Sequence, residues 1–215
     1  PVMAAADFFR IEIEGQSAHA GMAPEKGIDT IVIASQLVSQ LQTIVARNVP
    51  PMDTGVVSVG AIEGGTAPNI IADRVVMRGT VRALTPATHE MIHARIRALC
   101  AGLEVAHPGA KLSYHLKHGV PPTVNDPEIA EVARAAARKV FAPGQVSIGE
   151  PIMAGEDFSY IARAVPSVFA LLGTRVTQGE VHPLHTPKMT VNEDALPLGA
   201  AWLAQTAVDL LAAAA

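Results

Sequence analysis

Apolar and polar residues change period several times along this chain, and each change marks an element. From Asp7 to Glu14 they alternate, Phe9, Ile11 and Ile13 against Arg10, Glu12 and Glu14, which predicts a half-buried strand. From about Glu25 to Arg47 the period lengthens. Ile28, Ile31, Ala34, Val38, Leu41 and Val45 recur three or four apart and predict an amphipathic helix ended by Asn48 and Pro50-Pro51.

Two runs rich in Val and Ile follow, Thr54 to Glu63 and Ile70 to Leu84, separated by the turn cluster Gly64-Gly65-Thr66-Ala67-Pro68-Asn69. Thr85-Pro86 is an N-cap followed by proline at the first helical position. The helix it opens carries Ile92, Ile96, Leu99 and Leu103 as its buried stripe and stops at Pro108-Gly109. Lys111 to Lys117 alternate again. Strand, helix, strand, strand, helix, strand is the ferredoxin-like βαββαβ order, two helices on one face of a four-stranded antiparallel sheet. A first domain over residues 5–117 is expected, and residues 118–215 form a second.

In that second part Asp126-Pro127 caps a helix reaching about Phe141, with Ile129, Val132, Ala136 and Val140 inward. Met153 to Phe158 turns into a short helix, and Ser167 to Gly173 predicts a buried strand. Thr174 to Lys188 is a polar loop. Thr190 and Glu193 fit a capping box for a terminal helix buried through Leu196, Leu203, Ala207 and Leu210. With so few strands, the segment predicts an incomplete portion of an α/β domain.

Composition narrows the partners. The chain has 215 residues, a net charge of -4 and no basic cluster, so nucleic acid is not expected and a small molecule is. Gln205 and Asp209 interrupt the Ala-rich end, so a core helix is expected there rather than a membrane span. A single cysteine, Cys100, suits a reducing cytoplasm. The start Pro1-Val2-Met3-Ala4 reads as internal to a longer frame.

Four groups of residues carry candidate chemistry. His19 sits among small residues in Gly15 to Pro24, on a strand-to-helix loop. It can donate to an oxygen that gains charge, or simply be solvated. His89-Glu90-Met91-Ile92-His93 matches H-E-x-x-H, two histidines one turn apart with a glutamate base. The extended motif's third histidine is absent, and the adjacent Ile stripe gives this helix a packing role. His182 and His185 fit either one contributed metal ligand or a solvated loop. Asn69 and Arg82 suit a carboxylate clamp, with a surface ion pair as the alternative for Arg82.

Several motifs occur together: Gly15 to Gly21 (G-x-x-x-H-A-G), Gly64 to Asp73 (GGTAPNIIAD), Gly79 to Arg82 (GTVR), Pro121 to Asn125 (PPTVN), Gly155 to Phe158 (GEDF) and Leu184 to Pro187 (LHTP). In this order they resemble the zinc-dependent aminoacylase, hippurate hydrolase and N-acyl-amino-acid amidohydrolase family of metallopeptidases across essentially the whole chain. The resemblance implies a lid and dimerisation domain inserted in an α/β catalytic domain, two divalent zinc ions in the complete enzyme, and a homodimer formed through the lid.

It also implies residue roles. His19 would reach the partner's active site and stabilise the oxyanion, Asn69 and Arg82 would hold the substrate carboxylate, Glu156 would line the pocket and His185 would be the last zinc ligand. The reaction implied is hydrolysis of the amide of an N-acyl amino acid or small peptide. Family members carry most metal ligands ahead of the lid, so this chain alone is expected to be silent and to retain little zinc. Two other readings stand beside it: a non-catalytic dimerisation and substrate-gripping module, and a zincin-like protease using His89, Glu90 and His93.

Overall fold

The structure is a computed structural model that describes residues 2–176 and 179–213. It divides into two compact units, one of Pro1–Thr123 with Pro151–Tyr160, the other of Val124–Glu150 with Ile161–Ala215.

The first unit holds strands β1 (Ala5–Glu14), β2 (Ala18–His19), β3 (Gly55–Gly64), β4 (Ile70–Ile71), β5 (Arg74–Ala83) and β6 (Lys111–Val120), with helices α1 (Thr30–Asn48) and α2 (Pro86–Ala106). The four long strands form an antiparallel sheet in the order β3-β5-β1-β6, and the two short ones pair separately. The first and third long strands lie centrally and the second and fourth at the edges, which is the ferredoxin-like topology that the alternation of periods predicts.

Phe9, Ile11 and Ile13 of β1 and Val75, Met77 and Val81 of β5 point to the helices and are buried with Ile33, Leu37, Leu41, Ile44, Ile92 and Ile96. Burying each such side chain stabilises the unit by about 1.5–3 kcal/mol against leaving it exposed. The predicted face of α1 is rotated. Ile33, Leu37 and Ile44 are buried, whereas Ile31 is half exposed. Ile31, Val32 and Ile33 are consecutive and apolar, so two faces fit the period, and packing on the sheet selects one. This helix also starts later than expected, at Thr30, because the Asp29 carboxylate accepts from the N–H groups of Ile31 (3.0 Å) and Val32 (3.1 Å). The single run Ile70 to Leu84 is broken at Ala72-Asp73 into β4 and β5.

In the second unit, α3 (Pro127–Val140) is capped by Asp126 as expected and packs against α5 (Ala195–Ala213). The short helix α4 (Phe158–Ala164) follows GEDF and begins in the first unit. Ser167 to Gly173 is not a strand. No backbone strand pairs with it among the described residues. Instead the Asn125 side chain bonds both sides of Phe169, its Nδ2 donating to the Phe169 carbonyl and its Oδ1 accepting from the Phe169 N–H, both at 2.8 Å. One amide side chain thus does what a neighbouring strand would.

The terminal helix also departs from expectation. Leu196, Leu203 and Ala207 face outward, while Gly199 and Thr206 are buried. Trp202 Nε1 donates to the Ala133 carbonyl at 2.8 Å, and Lys139 pairs with Asp209 at 2.7 Å. A helix apolar all round has no unique stripe, so these two polar anchors set its rotation and leave the leucines uncovered. Among the described residues α5 is also the one helix long and apolar enough to cross a membrane. Its start is held by Asn192, whose Oδ1 accepts from the Asp194 N–H at 3.1 Å, in place of the predicted Thr190 capping box.

Candidate active site

The loop after β1 folds back so that His19 of β2 pairs with Ile70 of β4, and the Ala20 N–H donates to the Asn69 carbonyl at 2.9 Å. Two motifs 50 residues apart therefore meet at one end of the first unit. His19 Nδ1 accepts from the N–H groups of Gly21 and Met22, both at 3.2 Å. With Nδ1 acting as an acceptor, a neutral imidazole carries its hydrogen on Nε2, and the exposed ring presents an N–H donor to solvent. That is the tautomer that stabilises a developing oxyanion.

Arg82 is elsewhere. Arg74 of β5 pairs with Glu14 of β1 and Arg82 pairs with Ala6, so Arg82 sits at the opposite end of the sheet from the His19 loop. At about 3.3 Å per residue, the strand carries it more than roughly 20 Å from that loop. Its company there is the GEDF motif. Ala4 N–H donates to the Ala154 carbonyl at 3.0 Å, bringing the following glycine onto the sheet. A Cβ on Gly155 would lie 2.7 Å from both Ala6 and Val120 side-chain carbons and 3.4 Å from an Arg82 guanidinium nitrogen. Only a bare backbone fits so close. Glu156, next in line, is half-buried and accepts from the Phe158 N–H at 3.4 Å, at the start of α4.

His185 lies in the second unit, exposed, and is the one residue other than glycine with positive φ (66°) among the described residues. A left-handed backbone at a histidine is uncommon, and such outliers concentrate at functional sites. The loop is fastened locally, Thr186 Oγ1 donating to the Pro183 carbonyl at 2.9 Å. His182 stands 3.9 Å from Glu180.

The H-E-x-x-H histidines have a companion that sequence reading missed. Asp7 occupies the core-facing parity of β1, where Phe9, Ile11 and Ile13 continue the stripe, and its carboxylate Oδ2 lies 2.7 Å from His89 Nε2 and 3.0 Å from His93 Nε2. A third donor atom stands beside the two histidines, and it comes from upstream in the sequence rather than downstream. The signal was parity: Asp7 opens the alternation of β1 on the side of Phe9, Ile11 and Ile13, and residues 89 and 93 fall on the same face of α2 as Ile92 and Ile96. Burial opposes ionisation of Asp7, yet the bonds from His89, His93 and the Gly119 N–H outweigh it and hold the carboxyl well below the usual range. Glu90, the base of the motif, is on the exposed side of the helix.

Similarity to known proteins agrees with the fold. The model of peptidase family M20/M25/M40 matches residues 11–209, and the chain belongs to that family. It is 40% identical over 212 residues to N-acetyl-L-cysteine deacetylase of Bacillus subtilis, covering 98% of this chain and 49% of that protein. It is 34% identical to the IAA-amino acid hydrolase ILR1-like 2 of Arabidopsis thaliana, covering 97% and 48%. Among solved structures, the YXEP protein of Bacillus subtilis, a dinuclear metal binding peptidase of the M20 family, superposes with a TM-score of 0.78 at 29% identity, covering 98% of this chain and 51% of that one. The chain spans about half the length of these relatives.

Proposed function

We propose that this chain is the lid and the C-terminal catalytic portion of a metal-dependent amidohydrolase that cleaves N-acyl amino acids or small peptides. The observation that carries the reading is His19, whose Nδ1 is occupied by two backbone N–H groups and whose Nε2–H is left to meet an oxygen. Names of relatives support the substrate class: one is named a deacetylase of N-acetyl-L-cysteine and another an IAA-amino acid hydrolase.

His185 fits one position of a metal set, as an exposed imidazole on a strained loop. The remaining ligands are assigned to the half of the relatives' length that this chain does not span, and the metal is assigned as a pair of zinc ions. Bound metal supplies Lewis acidity to the amide carbonyl and to the attacking water. This chain's residues do the rest. Arg82, next to the Gly155 backbone that leads into Glu156, receives the substrate carboxylate, and His19 Nε2–H donates to the carbonyl oxygen as charge develops.

Because His19 and Asn69 stand at the other end of the sheet from Arg82, one substrate meets all three only when two copies contribute, one offering His19 and Asn69 and the other Arg82. A homodimer through the first unit is therefore part of the proposal. So are a cytoplasmic location and the silence of the isolated chain. The uncovered leucines of α5 are where a further segment of the catalytic domain would pack.

The test is hydrolysis of a panel of N-acetyl amino acids by the complete, zinc-loaded protein. Release of free amino acid supports the reading. Intact substrate, with protein folded and metal bound, would favour the alternative of a dimerisation and substrate-gripping module.

A further inference from the structure

We propose that Asp7, His89 and His93 form a divalent transition-metal site in the first unit, with His118 as its solvent-facing fourth ligand. The three donor atoms form a closed triangle, Asp7 Oδ2 to His89 Nε2 2.7 Å, Asp7 Oδ2 to His93 Nε2 3.0 Å, and His89 Nε2 to His93 Nε2 3.1 Å. Donors held tetrahedrally at about 2.0–2.2 Å from one zinc-sized ion stand about 3.3–3.6 Å apart. Opening each edge of the triangle by about half an ångström admits the ion, and His89, the more exposed of the two rings, can supply that movement.

Hydrogen bonding alone satisfies the cluster awkwardly. Both imidazoles must bring an Nε2–H to the same carboxylate oxygen, while the two nitrogens face each other with neither able to accept. A dication between them takes both nitrogen lone pairs and the carboxylate at once. His93 is already set for this: its Nδ1 lies 2.6 Å from the Tyr114 hydroxyl, so a metal on Nε2 leaves an Nδ1–H to donate to that oxygen. Such an outer partner is what orients metal-binding histidines. The other Asp7 oxygen is fixed by the Gly119 N–H at 2.7 Å, which aims Oδ2 inward.

The fold was bent to make this arrangement. Across β1 and β6, Phe8 pairs with Lys117 and Ala6 with Val120, so Asp7 faces both His118 and Gly119, a β-bulge. A Cβ on Gly119 would fall 1.9 Å from the Ala6 carbonyl oxygen, so the bulge requires glycine. Its effect is to turn His118, 77% exposed, to within 3.7 Å (Nδ1) of Asp7 Oδ2, at the mouth of a cluster whose Asp7 and His93 side chains are 3% and 5% exposed. Three nitrogens and one carboxylate oxygen suit zinc, cobalt or nickel better than magnesium or calcium.

The 215-residue chain, stripped with chelator, is titrated with Zn²⁺ and Co²⁺ alone. One equivalent is expected, with the cobalt form showing the intense visible absorption of a four-coordinate ion. His89→Ala weakens that equivalent at least about 100-fold and His118→Ala about 10-fold. Tyr114→Phe, which keeps every ligand, weakens it about 10-fold, and His185→Ala leaves it unchanged. Circular dichroism confirms folding, and His118→Ala and Tyr114→Phe carry the test if His89→Ala unfolds. Absence of tight Zn²⁺ and Co²⁺ binding, or an equivalent lost in His185→Ala and kept in the folded His118→Ala and Tyr114→Phe variants, would overturn the proposal.

Discussion

Met22 donates its backbone N–H to His19 Nδ1 at 3.2 Å, and together with the matching bond from the Gly21 N–H this contact leaves Nε2 as the nitrogen of His19 free to donate. The other nitrogen is the donor by default. A donor that meets its oxygen only as negative charge builds lowers the barrier without tightening substrate binding. His19→Ala in the complete enzyme is therefore expected to cut kcat about 10²–10³-fold with little change in KM. Steady-state kinetics on an N-acetyl amino acid check this, and a KM effect without a kcat effect would count against the role.

In the proposed reaction Arg82 meets a different part of the substrate. As a carboxylate clamp it contributes equally to ground and transition states, so Arg82→Ala should raise KM for free N-acyl amino acids by about 10–100-fold. The corresponding methyl esters should lose far less. Equal losses on acids and esters would contradict a carboxylate partner.

Asp53 holds the start of the helix that carries His89 and His93. Its carboxylate accepts from the Thr88 hydroxyl, from the Thr54 N–H at 2.7 Å and from the Thr85 hydroxyl at 2.9 Å. The Thr88 bond leads in holding its pKa below the usual value, against an opposing push from burial. A lowered folded-state pKa means that the contribution is complete above the ordinary carboxylate range and fades as pH falls through that range. Asp53→Ala should thus cost about 1 kcal/mol near pH 7, and the gap from wild type should shrink below about pH 4. Urea melts at both pH values measure it.

Much of the first unit is written in the sequence because its signals are local. Alternation in β1, the Thr85-Pro86 start of α2 and the Asp126 cap each depend on neighbours a few residues away, and each is found where expected. What the sequence hides are contacts between distant segments. Asp7 reads as the polar first residue of a strand, and only the bulge at His118-Gly119 and the helix that carries His89 and His93 show what its carboxylate meets. The rotation of α5 is hidden for the opposite reason: a helix apolar on every side offers no preferred face, so Trp202 and Asp209 decide. Ser167 to Gly173 looks like a strand by composition, but β-structure needs a partner strand, and here the Asn125 side chain on Phe169 and the Asp126 N–H on the Ser167 carbonyl hold only two of its residues.

His19 and Arg82 were recognisable as candidates from their motifs, yet the sheet register alone shows that they occupy opposite ends. That separation makes the most direct measurement a mixing experiment. His19→Ala and Arg82→Ala versions of the complete enzyme, each nearly inactive at substrate concentrations well below the wild-type KM, are unfolded together, refolded as a mixture and assayed at such a concentration. In a two-fold dimer half of the molecules pair unlike chains, and one of their two sites keeps both residues. Recovery to roughly a quarter of wild-type activity on an N-acetyl amino acid is the predicted result. A mixture that refolds into dimers and stays as inactive as its parents would contradict a site shared between two copies.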